Sequence, residues 1–294
     1  GLASVIAWAT GTGGSDSATQ ETEALLSALF DAADQSRSSA NAPDPQESAQ
    51  RFAAVPAVPP AVATADPQVR IALLSQRPLL QVSTQGATAC RSPSGAPVQL
   101  AALNGMITGT TTGLVSCGGS GGSVFVNGRA YEGTIHLLNR GQGWLAINQI
   151  NLERYVASVV GAEMPSHWNG EALKAQAVAA RSYGLVHMLR PADRDWNLGD
   201  TTRWQAYSGT ISSTESTIKA AEATRGLVLS FKGGLVESLY AATQEISDEA
   251  HGHLGASMSQ HGAQQLAQRG LRFNEILGRY YAGASLARIK TDGQ

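Results

Sequence analysis

A single carboxylate, Glu163, lies among apolar and aromatic residues in the run from Tyr155 to Trp168. Burial disfavours the charged form of a carboxyl group and raises its pKa, so Glu163 is a candidate general acid that holds a proton near neutral pH and delivers it to a leaving oxygen. The residues alone leave a plainer interpretation open, in which Glu163 caps a turn or pairs with Lys174 or Arg181. The pattern therefore indicates acid–base chemistry here without identifying a substrate.

The elements that must position this carboxylate change character at Asn151. Before it, from Val69 to Ile150, short alternating runs separated by Gly, Asn and Ser clusters predict strands and turns. One such run, residues 123–126, precedes Asn127-Gly128 and predicts a hairpin whose returning strand is residues 134–138.

Helical spacing begins after Asn151. Residues 152–160 predict a first helix, Pro165 interrupts it, and Asn169 caps a second, alanine-rich helix that runs from Gly170 to Arg190. A helix over about residues 213–224, a hairpin-like pair over 227–231 and 235–240, and a last helix over 258–269 are predicted to follow, with an aromatic tail.

These patterns predict an α+β fold. The β-rich N-terminal part, residues 67–150, packs with the alanine-rich central helix and the C-terminal helices of residues 151–290, with a substrate cleft between the two lobes. Residues 1–66 are rich in Ala, Ser and Pro and are predicted to be a flexible leader or linker outside the folded unit. Their apolar start ends in Ala-x-Ala, typical of a signal-peptide remnant, the alternative being a disordered end.

Composition excludes some classes of function. A formal charge of -2 with mixed signs provides no basic stripe for nucleic acid. No apolar run approaches the ~20 residues that a membrane span needs. Cys90 and Cys117 either form one disulfide in an oxidising compartment or lie buried as small apolar residues.

The residues around Glu163 resemble a known signature. Glu163-Met-Pro, followed at 171–181 by Glu-Ala-Leu-Lys-Ala-Gln-Ala-Val-Ala-Ala-Arg, is similar to the motif of the SpoIID/LytB family. Further similar segments carry the resemblance over about residues 69–289: 129–136, 222–229, 258–263 and 275–281. It implies a peptidoglycan lytic transglycosylase, with the family's catalytic glutamate falling on Glu163.

Such an enzyme is a carbon–oxygen lyase. It cleaves the β-1,4 bond between N-acetylmuramic acid and N-acetylglucosamine without water and leaves 1,6-anhydro-N-acetylmuramic acid ends. The alternative within the family is a non-catalytic, peptidoglycan-binding amidase enhancer. Either function implies glycan strands as a partner, with a cell-wall amidase as a partner of the enhancer, an extracytoplasmic location (secreted, periplasmic or envelope-associated) and no cofactor.

Several other residues are assigned to substrate binding. Lys174 and Arg181 share one helix face, from which they orient Glu163 or bind sugar oxygens, the alternative being a solvated face. Tyr183, Tyr240 and Trp168 are candidates to stack on sugar rings, although core packing is an equal alternative for each. Gln260, in the motif at 258–263, is also assigned to the substrate.

Another carboxylate, Glu171, is interpreted as structural because it lies in the first turn of the central helix, where its charge complements the helix dipole. An ordinary glycosidase needs two carboxylates beside the scissile bond, whereas the region around Glu163 offers one good candidate. This count favours the lyase.

The chain departs from the family pattern after the central helix, where many members carry a Cys/His cluster suited to zinc. Gly199, Arg203 and Trp204 occupy the ligand positions here and cannot bind zinc, which leaves His187 alone.

Three further histidines, His251, His253 and His261, have no carboxylate at a supporting spacing, so no metal is predicted and His253 is assigned to substrate binding. The segment after Tyr240 is shorter than the family pattern. It favours the enhancer, whereas the retained Glu163 favours the lyase.

Overall fold

Alternating buried and exposed side chains build the main sheet of this protein, and the computed structural model describes residues 55–246 and 256–290. In Thr134–Asn139 every second residue is buried, the period-2 pattern of a strand with one face on a core. The strands of this sheet are β1 (Gln68–Ala72), β3 (Ala89–Arg91), β4 (Pro97–Val98), β5 (Gly113–Gly118), β8 (Thr134–Asn139), β9 (Leu145–Asn151) and β10 (Leu198–Gly199). Their order across the sheet is β10-β1-β9-β8-β5-β3-β4.

A smaller sheet in the same part of the chain joins β2 (Val82–Gln85), β6 (Ser123–Val126) and β7 (Arg129–Tyr131). The predicted hairpin at Asn127-Gly128 is present, but its returning strand is β7, and β8 pairs with β5 and β9 instead. Asn127 and Gly128 both have positive φ, so the two-residue turn closes at once and pairing resumes at Arg129.

Helices dominate after Asn151, as predicted, and the α+β class is confirmed. Their bounds are α2 (Leu152–Glu163), α3 (Gly170–Leu189), α4 (Glu215–Ala223), α5 (Gln260–Gln268) and α6 (Phe273–Tyr280), with short 3-10 turns at Leu74–Gln76 and Gly209–Ser212. The β-rich part contains one helix that the pattern did not predict, α1 (Leu100–Thr108), and α6 replaces the predicted aromatic tail.

The remaining strands flank these helices. One sheet joins β11 (Leu227–Phe231), β12 (Gly234–Leu235) and β15 (Ser285–Arg288), and a parallel pair joins β13 (Leu239–Ala241) to β14 (Ser257–Ser259). The predicted hairpin therefore exists only as β11 and β12, because the chain leaves β12 after two residues and β13 pairs elsewhere.

Side-chain caps fix the N-terminal ends of α2 and α3, the two helices beside Glu163. The Asn169 side chain accepts a hydrogen bond from the backbone N–H of Glu171 at 2.9 Å and so caps α3, as predicted. At the start of α2 the cap comes from a distant carboxylate, since Asp66 Oδ1 accepts from the backbone N–H of Glu153 at 3.0 Å.

Residues 55–66, assigned above to the leader, contact the folded unit along its C-terminal part. The carbonyl oxygens of Pro56 and Pro59 accept hydrogen bonds from Asn274 at 3.0 Å and Arg288 at 3.2 Å. The rest of the predicted leader, with the signal-peptide remnant, lies outside the described residues.

The pairing register of β3 and β5 decides whether Cys90 and Cys117 form a disulfide. Cys90 in β3 lies directly opposite Cys117 in β5, and the two form a disulfide bond. Among the helices of the described ranges, none has the length and apolarity needed to cross a bilayer.

Candidate active site

Glu163 is the last residue of α2, and the sequence fixes that ending. Pro165 disfavours a helical conformation for Met164, which is extended with φ -128° and ψ 144°. The helix C-terminus carries a partial negative charge, which disfavours a carboxylate placed there. Gly161 allows the 3-10 turn Gly209–Ser212 to pack against this end of α2, because a Cβ at position 161 would clash with the carbonyl oxygen of Ser212.

Two neutral donors hold the Glu163 carboxyl group. The backbone N–H of Ala206 donates to Oε1 at 2.7 Å, and Gln260 Nε2 lies 3.5 Å from Oε2. Burial raises the pKa of Glu163 above its ordinary value, and these two hydrogen bonds offset only part of that effect. Glu163 therefore has the raised pKa expected of a general acid.

The loop that carries Ala206 is fixed by its neighbour Gln205, which is buried. Tyr155 donates its hydroxyl hydrogen to Gln205 Oε1 at 2.6 Å, and Gln205 Nε2 donates to the Tyr240 hydroxyl at 2.9 Å and to the carbonyl of Ala180 at 3.3 Å. These contacts tie the loop to α2, α3 and β13. They hold the Ala206 N–H where it meets Glu163.

Sequence reasoning missed Gln205 and Ala206. The available signal was the Gln-x-Tyr at the end of the loop, Gln205 to Tyr207, which matches the end of the family's zinc-loop pattern. The hydrogen bond from Ala206 could not be predicted from the residue type, since any non-proline residue supplies a backbone N–H.

Tyr183 and Tyr240 are both affected by the charge of Glu163. Burial, followed by the nearby charges of Glu237 and Glu163, raises the pKa of Tyr183 to about 12, while the pKa of Tyr240 is raised by burial first and by Glu163 second. Tyr183 is buried with its ring centroid 4.4 Å from that of His187, so it packs within the protein, whereas Tyr240 is half-buried.

Lys174 does not pair with Glu163. Its Nζ lies 2.7 Å from Glu171 Oε1, and Glu171 Oε2 accepts from the backbone N–H of Phe273 at 2.8 Å. Partial burial raises the pKa of Glu171, but the bonds from Lys174 and Phe273 outweigh it, and the net effect lowers this pKa. Glu171 thus links α3 to α6 as a carboxylate, in line with its structural interpretation.

Arg181 requires a correction, because its side chain has 0% exposure. It forms a bidentate ion pair with Glu153, with Nε–Oε1 2.9 Å and Nη2–Oε2 2.6 Å, and it also donates to the carbonyl oxygens of Leu227 and Ala221. All three guanidinium nitrogens are occupied inside the protein. The residue therefore joins α2, α3, α4 and β11, and its predicted substrate-binding role is not supported.

The loop that resembles the zinc segment is filled by tryptophan. The Trp204 ring lies on Gly199 so closely that a Cβ there would be 2.6 Å from Cζ3, and Trp196 meets Trp204 edge-on at 5.5 Å. His187 instead lies 3.5 Å from Glu237. Within the described ranges no group of three His, Cys, Asp or Glu residues suits a metal ion.

His251 and His253 lie outside the described residues. The substrate-binding role of His253 and the absence of a metal therefore remain predictions.

The segment that carries this site is similar to known proteins. Residues 140–231, which include Glu163, α3 and the Gln205 loop, match the family model SpoIID, described as Stage II sporulation protein. An uncharacterised protein of Brachyspira hyodysenteriae is 34% identical over 118 residues, which are 40% of this chain and 32% of that protein.

Two Bacillus subtilis proteins are also similar. The amidase enhancer is 37% identical over 99 residues (34% of this chain, 13% of that protein), and stage II sporulation protein D is 31% identical over 113 residues (33% of each). The matches thus span a third or less of the length of these relatives. The segment of residues 140–231 thus matches the SpoIID family model, and the chain resembles proteins of the SpoIID/LytB family over that segment.

Proposed function

We propose that this protein acts on the glycan strands of peptidoglycan as a lytic transglycosylase, with Glu163 as its general acid and then its general base. The observation that carries the proposal is the state of the Glu163 carboxyl group. It is half-buried, its pKa is raised, and both of its oxygens face neutral N–H donors. Such a group can lose and regain a proton without breaking an ion pair.

The chemistry follows from one proton-carrying group. Glu163 donates its proton to the oxygen that leaves C1 of N-acetylmuramic acid, and the C1–O bond breaks. The C6 hydroxyl oxygen of the same sugar bonds to C1, and its proton passes to the Glu163 carboxylate. The enzyme returns to its starting state and no water is consumed. Because the nucleophile belongs to the substrate, the reaction has the proximity advantage of an intramolecular step.

The contacts of Glu171 and Asp200 favour this one-carboxylate scheme. A glycosidase that uses water or a covalent intermediate needs a second carboxylate roughly 5–9 Å from the first. Glu171 is bonded to Lys174, and Asp200 accepts hydrogen bonds from the backbone and the hydroxyl of Ser75. Both carboxylates are thus bound to other parts of the fold, whereas Glu163 accepts hydrogen bonds only from the neutral N–H groups of Ala206 and Gln260 among the contacts described.

The location and the substrate class are part of the same proposal. The Cys90–Cys117 disulfide is typical of an oxidising, extracytoplasmic compartment. The relatives named amidase enhancer and stage II sporulation protein D support a role at the cell wall.

The decisive experiment is mass spectrometry of purified glycan strands after incubation with the protein. Wild-type protein should release products that end in 1,6-anhydro-N-acetylmuramic acid, lighter by one water than hydrolysed products, and Glu163→Gln should release none. Ordinary reducing ends would refute the lyase.

The amidase-enhancer relative favours one second candidate, a glycan-binding protein that stimulates an amidase without cutting glycan. The assay is release of stem peptides from sacculi by a cell-wall amidase. If wild type and Glu163→Gln stimulate it equally while neither cuts strands, the enhancer function replaces the lyase.

A further inference from the structure

An aromatic pair lies beside the Glu163 site. The rings of Trp168 and His261 meet edge-on, with centroids 4.9 Å apart and planes at 64°. His261 is exposed and Trp168 is half-buried.

Chain geometry keeps this pair next to the carboxyl group. Trp168 follows Glu163 by five residues, and His261 directly follows Gln260, the residue whose amide faces Glu163 Oε2. The two segments that meet at the Glu163 carboxyl group therefore meet again at the Trp168–His261 ring contact, five residues further along one segment and one residue further along the other.

Hydrogen bonds on both sides fix the turn that carries Trp168. The backbone N–H of Trp168 donates to the carbonyl of Pro165 at 3.0 Å, and Ser216 donates to the carbonyl of Ser166 at 2.6 Å. Gln264 of α5 accepts from the backbone N–H of Asn169 at 2.9 Å.

The backbone at His261 is fixed in the same way, since its N–H donates to the carbonyl of Ala242 at 3.0 Å. The backbone that carries each ring is therefore held in place before a ligand arrives, and the rings contact each other, which lowers the entropic cost of binding.

The chemistry of the pair suits a sugar. A pyranose ring has an apolar face of C–H groups that packs on an indole, and an imidazole exchanges hydrogen bonds with hydroxyl or acetamido groups. The buried rings of Tyr155 and Tyr183 lie inside the fold and have no free face to offer.

We propose that Trp168 and His261 form a saccharide-binding subsite that holds an N-acetyl sugar of the strand next to the one cleaved at Glu163. This subsite rests on the proposed function for its ligand class. It assigns to Trp168 the stacking role that was predicted equally for Trp168, Tyr183 and Tyr240.

The test measures affinity separately from cleavage. In the Glu163→Gln background, the Kd of an N-acetylglucosamine tetramer is measured by calorimetry. Trp168→Ala should raise Kd about tenfold or more, as truncation of an aromatic anchor does, and Trp168→Phe should recover most of the affinity. His261→Ala should weaken binding several-fold. Phe231→Ala, which removes a ring that is 47% exposed in β11, is the matched control and should leave Kd unchanged.

A purely structural role for Trp168 gives a different pattern. In the active background, loss of a subsite raises KM more than it lowers kcat, whereas a loosened turn displaces Glu163 and lowers kcat alone. A Trp168→Ala protein with wild-type Kd and KM overturns the subsite, even if strands are still cleaved. A wild-type protein that never cleaves strands refutes the transglycosylase, while Trp168-dependent tetramer binding would still support the subsite.

Discussion

The backbone N–H of Ala206 donates a 2.7 Å hydrogen bond to Oε1 of Glu163, across 43 positions of sequence. This bond favours the carboxylate without supplying a positive charge, so burial remains the larger influence and the pKa of Glu163 stays raised. The loop positions the acid while leaving it able to hold a proton.

The first prediction concerns activity and pH. Cleavage requires protonated Glu163, so kcat/KM should fall as pH rises through the raised pKa of this residue. Glu163→Gln should lower activity by roughly 100-fold to 10,000-fold, the contribution of a positioned acid–base group. A pH series of strand cleavage checks both. An active Glu163→Gln beside an inactive Glu171→Gln would move the role to Glu171.

The second prediction concerns stability. Because the pKa of Glu163 is raised in the folded state, its protonated form stabilises the fold below the unfolded-state pKa, and that contribution is lost as pH rises through the folded-state pKa. Glu163→Gln should therefore unfold at a higher urea concentration than wild type at neutral pH, and at nearly the same concentration in acid. Equal differences at both pH values would contradict this linkage.

The third prediction concerns the buried ion pair of Arg181 and Glu153. Arg181→Ala leaves Glu153 buried without its cation and should lower the free energy of unfolding by about 3–5 kcal/mol. Its control is Arg190→Ala in the exposed pair with Glu237, which should cost no more than about 1 kcal/mol. A stable Arg181→Ala protein that has lost glycan affinity would restore a substrate-binding role for Arg181.

The fourth prediction concerns Gly199. Gly199→Ala forces the new Cβ into the Trp204 ring and should destabilise the fold by about 1–3 kcal/mol. Trp204 lies two residues before Ala206, so kcat should also fall. Adding Trp204→Leu should relieve part of the clash, which a double-mutant cycle measures as non-additivity.

The matched control for Gly199→Ala is Gly105→Ala in α1, where an added Cβ meets nothing within 4 Å. Alanine is the better helix former, so this change should stabilise the fold by roughly 0.5–1 kcal/mol. If Gly199→Ala behaved like Gly105→Ala, the close packing of Trp204 would be refuted.

The fifth prediction concerns metal. Chelation should leave the unfolding midpoint and strand cleavage unchanged, since Gly199 and Trp204 occupy positions where the family pattern has ligands. Elemental analysis provides the independent check. Stoichiometric zinc that disappears on mutation of His251 and His253 would contradict the prediction.

Local patterns predicted the helices around the site well. The apolar spacing before Glu163 and the Asn169 cap are signals within a few residues of the elements they define, and Pro191, which cannot continue a helix, directly follows Arg190. As a result, α2 and α3 lie close to their predicted bounds. The pattern missed α1, because its nine residues lie inside a region of alternating strands. It also assigned β8 as the hairpin partner of β6, whereas β6 pairs with β7, the first strand after the two-residue turn.

The sequence by itself determined the chemical type of the acid, the helix end that carries it and the family whose motif surrounds it. Tertiary structure alone decided the partners of that acid. The Ala206 and Gln260 donors are 43 and 97 residues away from Glu163, and Arg181 reaches Glu153 across 28. The loop that carries Ala206 directly follows β10, and the pairing of β10 with β1 holds the start of this loop against the main sheet. Such long-range pairing depends on the packed sheet and helices together, and no local spacing of residues encodes it.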